Sequence, residues 1–135
     1  VVANQKNKFC FDVVGFHVVD GAGFSPHRDR QPEDWQPKGH ASEDPRTTFS
    51  REDKIARYLT CWVALTDATP QKSCLHYVSA TVDPGYWDGD LPGDACPMQR
   101  CFSKDKSAYQ KIFCAAVNRG GICCHTHRVI HWGNQ

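Results

Sequence analysis

The chain carries no surplus of charge. Sixteen Lys and Arg stand against fifteen Asp and Glu, a formal net charge of +1, so no strong field draws in nucleic acid or an anionic membrane. It also lacks any apolar run approaching the roughly 18 residues that a membrane helix needs. Internal repeats and low-complexity tracts are absent, as are signal peptides and targeting motifs. With Val1 at one end and Gln135 at the other, it reads as a trimmed or incomplete chain. No C-x₂-C pair occurs, which weakens a structural zinc reading.

What is present fits one globular domain. The length is 135 residues, 40% hydrophobic and 11% aromatic, enough to bury about two-thirds of the unfolded surface around one core. Eight cysteines are unusually many. They allow four disulfides, or Cys96-x₄-Cys101 and Cys123-Cys124 as metal ligands. Several fall inside strand-like runs, however: Cys61 before Trp62-Val63-Ala64-Leu65, Cys114 before Ala115-Ala116-Val117. There a free thiol acts as a small buried hydrophobe. That reading implies a reducing, cytoplasmic compartment.

Short strand-like segments dominate. Phe9 to Val19 is β-branched and aromatic. Residues 30–56 form a long polar stretch with Pro32, Pro37 and Pro45, and Ser50-Arg51-Glu52-Asp53 has the form of a capping box. The clearest strand is Arg57 to Thr66. A turn at 67–72 leads to a second strand, Ser73 to Ala80, and the closeness of the two predicts an antiparallel pair. Residues 83–108 read as loop. Tyr109 to Val117 is compatible with helix or strand, and Asn118-Arg119-Gly120-Gly121 is a turn. Ile122 to Trp132 alternates so that His125, His127, Val129 and His131 share one face of a regular strand. The fold expected is an all-β core: a double-stranded β-helix, jelly-roll or cupin-like, with long loops and one or two short helices.

Seven histidines are present, and two positions stand out. His27-Arg28-Asp29 is an H-x-D triplet. In extended chain, residues i and i+2 project to one side, so an imidazole and a carboxylate can grip one ion. Arg28 then points away. His131, at the end of the last predicted strand, supplies a second imidazole. Two imidazoles and one carboxylate make the facial triad of non-haem Fe(II) oxygenases. His125 and His127 read as polar lining or as partners of the ligands, or with Cys123 and Cys124 as a second metal site. Trp35, Trp87 and Trp132 form an apolar wall or pack. Lys54, Arg57 and Arg128 read as solvated surface charge.

The run Phe24-Ser25-Pro26-His27-Arg28-Asp29, the segment from Trp62-Val63-Ala64-Leu65 through Asp67-Ala68-Thr69 to Leu75-His76-Tyr77-Val78, and Gly121 leading to His131-Trp132-Gly133-Asn134 resemble the phytanoyl-CoA dioxygenase family. The likeness covers about Phe9 to Asn134. It implies that His27, Asp29 and His131 hold Fe(II) and that Trp62 lines the pocket for the cosubstrate 2-oxoglutarate, with ascorbate as a reductant. O₂ and 2-oxoglutarate would be consumed, succinate and CO₂ released, and a small organic substrate hydroxylated. A carboxylate at 29 sets the chain apart from the iron halogenases of the superfamily. The sequence also departs from the pattern. Ser73 replaces a turn glycine, Val78-Ser79-Ala80-Thr81 stands where P-G-S-H is usual, and Ile122 follows Gly121 where an acidic residue is common. The family's arginine on the final core strand, which pairs with the far carboxylate of 2-oxoglutarate, lies beyond His131 in that pattern. The expectation is therefore residues 1–135 as one dioxygenase core lacking its last strand and its N-terminal helices. The alternative is an inactive jelly-roll relic or a metal-binding interaction module.

Overall fold

The computed structural model describes residues 23–29, 49–50, 55–56, 59–88, 90–91, 93, 95–103 and 106–133. The strand expected at Phe9 to Val19 lies outside them. In chain order the elements are β1 (Phe49–Ser50), β2 (Ile55–Ala56), β3 (Leu59–Val63), β4 (Leu75–Val78), α1 (Gly85–Asp88), α2 (Met98–Phe102), a 3₁₀ helix (Lys106–Lys111), β5 (Ile112–Ala115), β6 (Ile122–Thr126) and β7 (His131–Gly133). The protein is therefore mostly β, with a few short helices. Among the described residues no helix is long and apolar enough to cross a membrane.

Every strand pairing between these elements is antiparallel. β3 pairs with β6, β5-β4-β7 form a three-stranded sheet, and β1 pairs with β2. Residues 23–29 add an edge to the larger sheet through a bridge between His27 and His131, with each backbone N–H donating to the other residue's carbonyl at 3.0 Å.

Three expectations need correction. β3 and β4 do not pair with each other, although a short turn separates them. The intervening chain bridges Ala68 to Val117 and passes Ser73 at a φ of 55°, which carries it from one sheet to the other. The strand expected over Ile122 to Trp132 is two strands. β6 ends at Thr126, where the Val129 N–H donates to the Thr126 carbonyl. The turn buries Arg128 and Ile130 completely before β7 starts in the other sheet. Finally, Ser50 sits in a strand opposite Ile55 and does not cap a helix.

The turn at 118–121 is as expected, with Gly120 at a φ of 79°, a left-handed conformation that glycine adopts without steric cost. The ambiguous stretch after Tyr109 is helix first and strand second.

Alternation along β4 divides its residues between two faces. Val78 belongs to a buried cluster with Cys101 and Ile130, against which Met98, Phe102, Ile112 and Trp132 pack. This is the back of the larger sheet, covered by α2. Phe102 stacks on Tyr109 at 4.1 Å, which joins α2 to the 3₁₀ helix. Tyr77 lies on the front face, where its hydroxyl is 3.4 Å from Cys123 Sγ of β6 and its ring is 5.1 Å from His125. The two sheets thus face each other across the front of β4.

Candidate metal centre

Cross-strand register assembles the site. On the front face, Phe113, Tyr77 and His131 lie in one row across β5, β4 and β7. The bridge to His131 extends that row to His27. Side chains directly opposite in neighbouring strands stand about 5 Å apart, so the two histidines meet, with ring centroids 4.4 Å apart. Asp29 follows at i+2 on the same side.

The Asp29 Oδ1 lies 3.4 Å from His131 Nε2 and 3.7 Å from His27 Nε2. One ligand atom from each residue lies within 4.8 Å of the others. Bonds of about 2.1 Å to an ion would place neighbouring ligand atoms about 3.0 Å apart at right angles and about 3.4 Å apart at tetrahedral angles. The two Asp29 distances, 3.4 and 3.7 Å, lie at and somewhat above the tetrahedral spacing, so an ion would draw the ligand atoms closer together.

The tautomers suit metal ligation. His27 Nδ1 lies 2.8 Å from the Ser25 carbonyl and His131 Nδ1 lies 3.1 Å from the Val129 carbonyl. A carbonyl only accepts, so each Nδ1 carries the proton and each Nε2 presents a lone pair to the centre. Burial pushes the His131 pKa below its ordinary value, which favours the neutral ring that a metal requires. The third ligand is oriented from β3, where the Thr60 hydroxyl donates to Asp29 Oδ2 at 2.6 Å.

Arg28 occupies the back of the edge strand, as alternation requires. Its guanidinium, fully buried, makes two parallel bonds to Asp83, Nη1 to Oδ2 at 2.6 Å and Nη2 to Oδ1 at 2.7 Å. It also binds Asp90 and the Arg128 carbonyl. Burial works against its charge, but the bonds to Asp83 and Asp90 outweigh that and raise its pKa. The H-x-D segment is thus clamped by its middle residue. A Cβ on Gly85 would stand 2.5 Å from Arg28 Nη2 and 2.9 Å from Asp90 Oδ1, so only glycine fits beside the clamp.

The remaining candidates divide. Trp62 is half-buried on β3 and shares its face with Thr60, about 7 Å along the strand, which puts it on the side of the cluster. His125 is buried with its ring 4.4 Å from that of His131, and burial lowers its pKa. His127 is fully buried in the turn after β6 and does not share a strand face with His131. Cys123 and Cys124 are consecutive in β6 and project to opposite faces, Cys123 toward Tyr77 and Cys124 toward Cys61, which removes the shared site considered for them. Arg128 is not surface charge. It is buried and donates to the carbonyls of Gly85 and Tyr86. Trp132 packs on the back of the sheet. Lys54, Arg57, Trp35, His17 and His40 lie outside the described residues.

The seven described cysteines are free thiols, but Cys61 and Cys114 are exposed, contrary to their reading as buried hydrophobes. Their strands have one open face. The clamp of Arg28, Asp83 and Asp90 and the hydroxyl of Thr60 were not anticipated. Only the alternation within H-x-D, which turns Arg28 inward, hints at the first.

Together these elements define a β-protein in which a two-histidine, one-carboxylate cluster of metal-ligand geometry sits between two antiparallel sheets. No family model, no curated protein and no solved structure matches the chain.

Proposed function

We propose that this chain is the core of a non-haem Fe(II)/2-oxoglutarate-dependent dioxygenase that hydroxylates a small organic substrate. We further propose that its facing sheets are the two halves of a double-stranded β-helix. One observation carries the reading: His27, Asp29 and His131 bring three ligand atoms within 4.8 Å of one another. Two neutral imidazoles and a carboxylate on one side of an ion leave its other positions open. When bound, ferrous iron and 2-oxoglutarate supply the O₂ activation that couples decarboxylation to hydroxylation.

The chain's own residues prepare that chemistry. The Ser25 and Val129 carbonyls hold the imidazole protons away from the centre. Thr60 occupies one oxygen of Asp29 and leaves the other for the ion. Side-chain exposure is 44% for His27, 29% for Asp29 and 9% for His131, so ligands approach from the side of the H-x-D edge. Trp62 provides an apolar wall beside that approach. Burial and the neighbouring Cys123 keep the Tyr77 phenol protonated, with its hydroxyl 3.4 Å from Cys123 Sγ.

The test is anaerobic addition of Fe(II) and 2-oxoglutarate to the full-length protein. The expected result is a weak visible charge-transfer band, absent in His27→Ala, and succinate on admission of O₂. A protein that binds Fe(II) yet shows neither band nor succinate refutes the reading and leaves a metal-binding module without turnover.

A further inference from the structure

The back face of the larger sheet carries a second group of ligating side chains. Cys74 and His76 share that face by alternation, and Cys114 of β5 lies directly across from His76. A ring nitrogen of His76 and the two sulfurs all lie within 4.8 Å of one another. Cys74 is fully buried, His76 half-buried and Cys114 exposed, so the group has a closed floor and an open mouth. The His76 ring is fixed by stacking on Trp132 at 5.3 Å and 17°. Its Nδ1 is buried with no hydrogen-bond partner among the described residues. An orphaned buried imidazole nitrogen is unfavourable in a folded protein unless something meets it.

We propose that Cys74, His76 and Cys114 bind one Zn(II) ion on the face of the sheet opposite the His27/Asp29/His131 cluster. Two thiolates and an imidazole are the donors that zinc prefers, and their charge cancels that of the ion. Zn–S bonds of about 2.3 Å and a Zn–N bond of about 2.0 Å set tetrahedral ligand atoms about 3.5–3.8 Å apart, inside the observed limit. The fourth position opens at the exposed Cys114 side and is filled by water. The two cysteines ligate as thiolates, so metal entry displaces protons from the sulfurs. The inference does not rest on the proposed dioxygenase activity, because it uses none of the residues of that site.

The experiment uses the full chain carrying His27→Ala, which disables the first cluster. Titration with Co(II) is expected to produce an intense near-ultraviolet thiolate-to-cobalt band that Zn(II) abolishes by displacement. Adding Cys114→Ser or His76→Ala is expected to remove the band and weaken Zn(II) binding at least about a hundredfold, since loss of a mere supporting contact already costs 10- to 100-fold. A band that survives both variants and vanishes in Cys61→Ser places the metal on the Cys61/Cys124 pair and overturns the assignment. Against the chance that a variant fails to fold, alkylation of Cys114 in the unmutated chain gives a second measure. Zn(II) is expected to slow it, because a thiolate held by the metal is no longer a free nucleophile. Unchanged alkylation, or a Cys74–Cys114 disulfide in protein that binds no zinc, also overturns it.

Discussion

Asp83→Asn tests whether the metal cluster depends on the clamp behind it. Asp83 is at the centre of that clamp. Its carboxylate accepts both Arg28 Nη groups at 2.6 and 2.7 Å, and Oδ1 also accepts the Gly85 N–H at 2.9 Å. Asparagine keeps one acceptor and places an amide donor against an Arg28 N–H. Breaking a buried ion pair costs about 3–5 kcal/mol because the surviving charge is left in low dielectric. Asp90 still meets Arg28 Nε and Nη2, so the lower end, about 3 kcal/mol, is expected. At about 4 °C per kcal/mol for a domain of this size, the melting temperature falls by about 12 °C. Arg28 lies between two proposed ligands, so loosening it also displaces His27 and Asp29, and Fe(II) affinity drops about 10- to 100-fold. Thermal denaturation of the metal-free protein gives the first number and anaerobic calorimetry of Fe(II) binding to folded protein the second. Asp90→Asn provides the contrast. Its side chain is 17% exposed against 1% for Asp83, so water compensates and the loss is smaller. The reasoning is refuted if Asp90→Asn costs more than Asp83→Asn, or if Asp83→Asn lowers stability without changing Fe(II) affinity.

Thr60→Val keeps the shape of β3 and removes the hydroxyl that orients Asp29. A bond to a charged acceptor contributes about 1.5–3 kcal/mol, and solvent near Asp29 favours the low end, so Fe(II) affinity is expected to fall about tenfold in calorimetry; unchanged affinity removes Thr60 from the site. The metal-free protein should also lose stability on mild acidification. Burial lowers the pKa of both His125 and His131 below 6.5, so the unfolded chain takes up protons first as pH falls. Their contribution is present above about pH 6.5 and lost below it, by no more than about 1.4 kcal/mol per pH unit for each histidine. Urea denaturation at about pH 7.5 and 5.5 checks the sign, and a stability that holds or rises on acidification contradicts it.

Local chemistry was legible in the sequence and pairing was not. The period of two in an extended chain is enough to put His27 and Asp29 on one side and Arg28 on the other, and both placements hold. The predominance of short strands also follows from composition and turn signals. Which strands pair is decided by contacts far apart along the chain. β3 and β4 looked like a hairpin because only a short turn separates them, yet the Ala68–Val117 bridge sends each to a different sheet. The break after Thr126 was hidden because alternation continues through it, while burial of Arg128 and Ile130 draws the chain away. The acid partners of Arg28 lie 55 and 62 residues distant, and nothing local to Arg28 distinguishes a buried guanidinium from a surface one.

Register links these observations physically. In β4, Tyr77 faces the His27/Asp29/His131 cluster and His76 faces Cys74 and Cys114. A slip of one residue against β5 and β7 would exchange the two faces, turning Cys74 and His76 toward the first cluster and Tyr77 toward Cys114. Both ligand groups would be lost together. What prevents the slip is the end of the same strand. Val78 pairs with Ile112, its N–H donates to the Ile130 carbonyl at 3.1 Å, and it is 1% exposed within the cluster under α2. Displacing it by one position would expose Val78 and bury the Tyr77 hydroxyl among apolar side chains. A core whose own residues ligate no metal therefore determines which donors each face of the sheet presents.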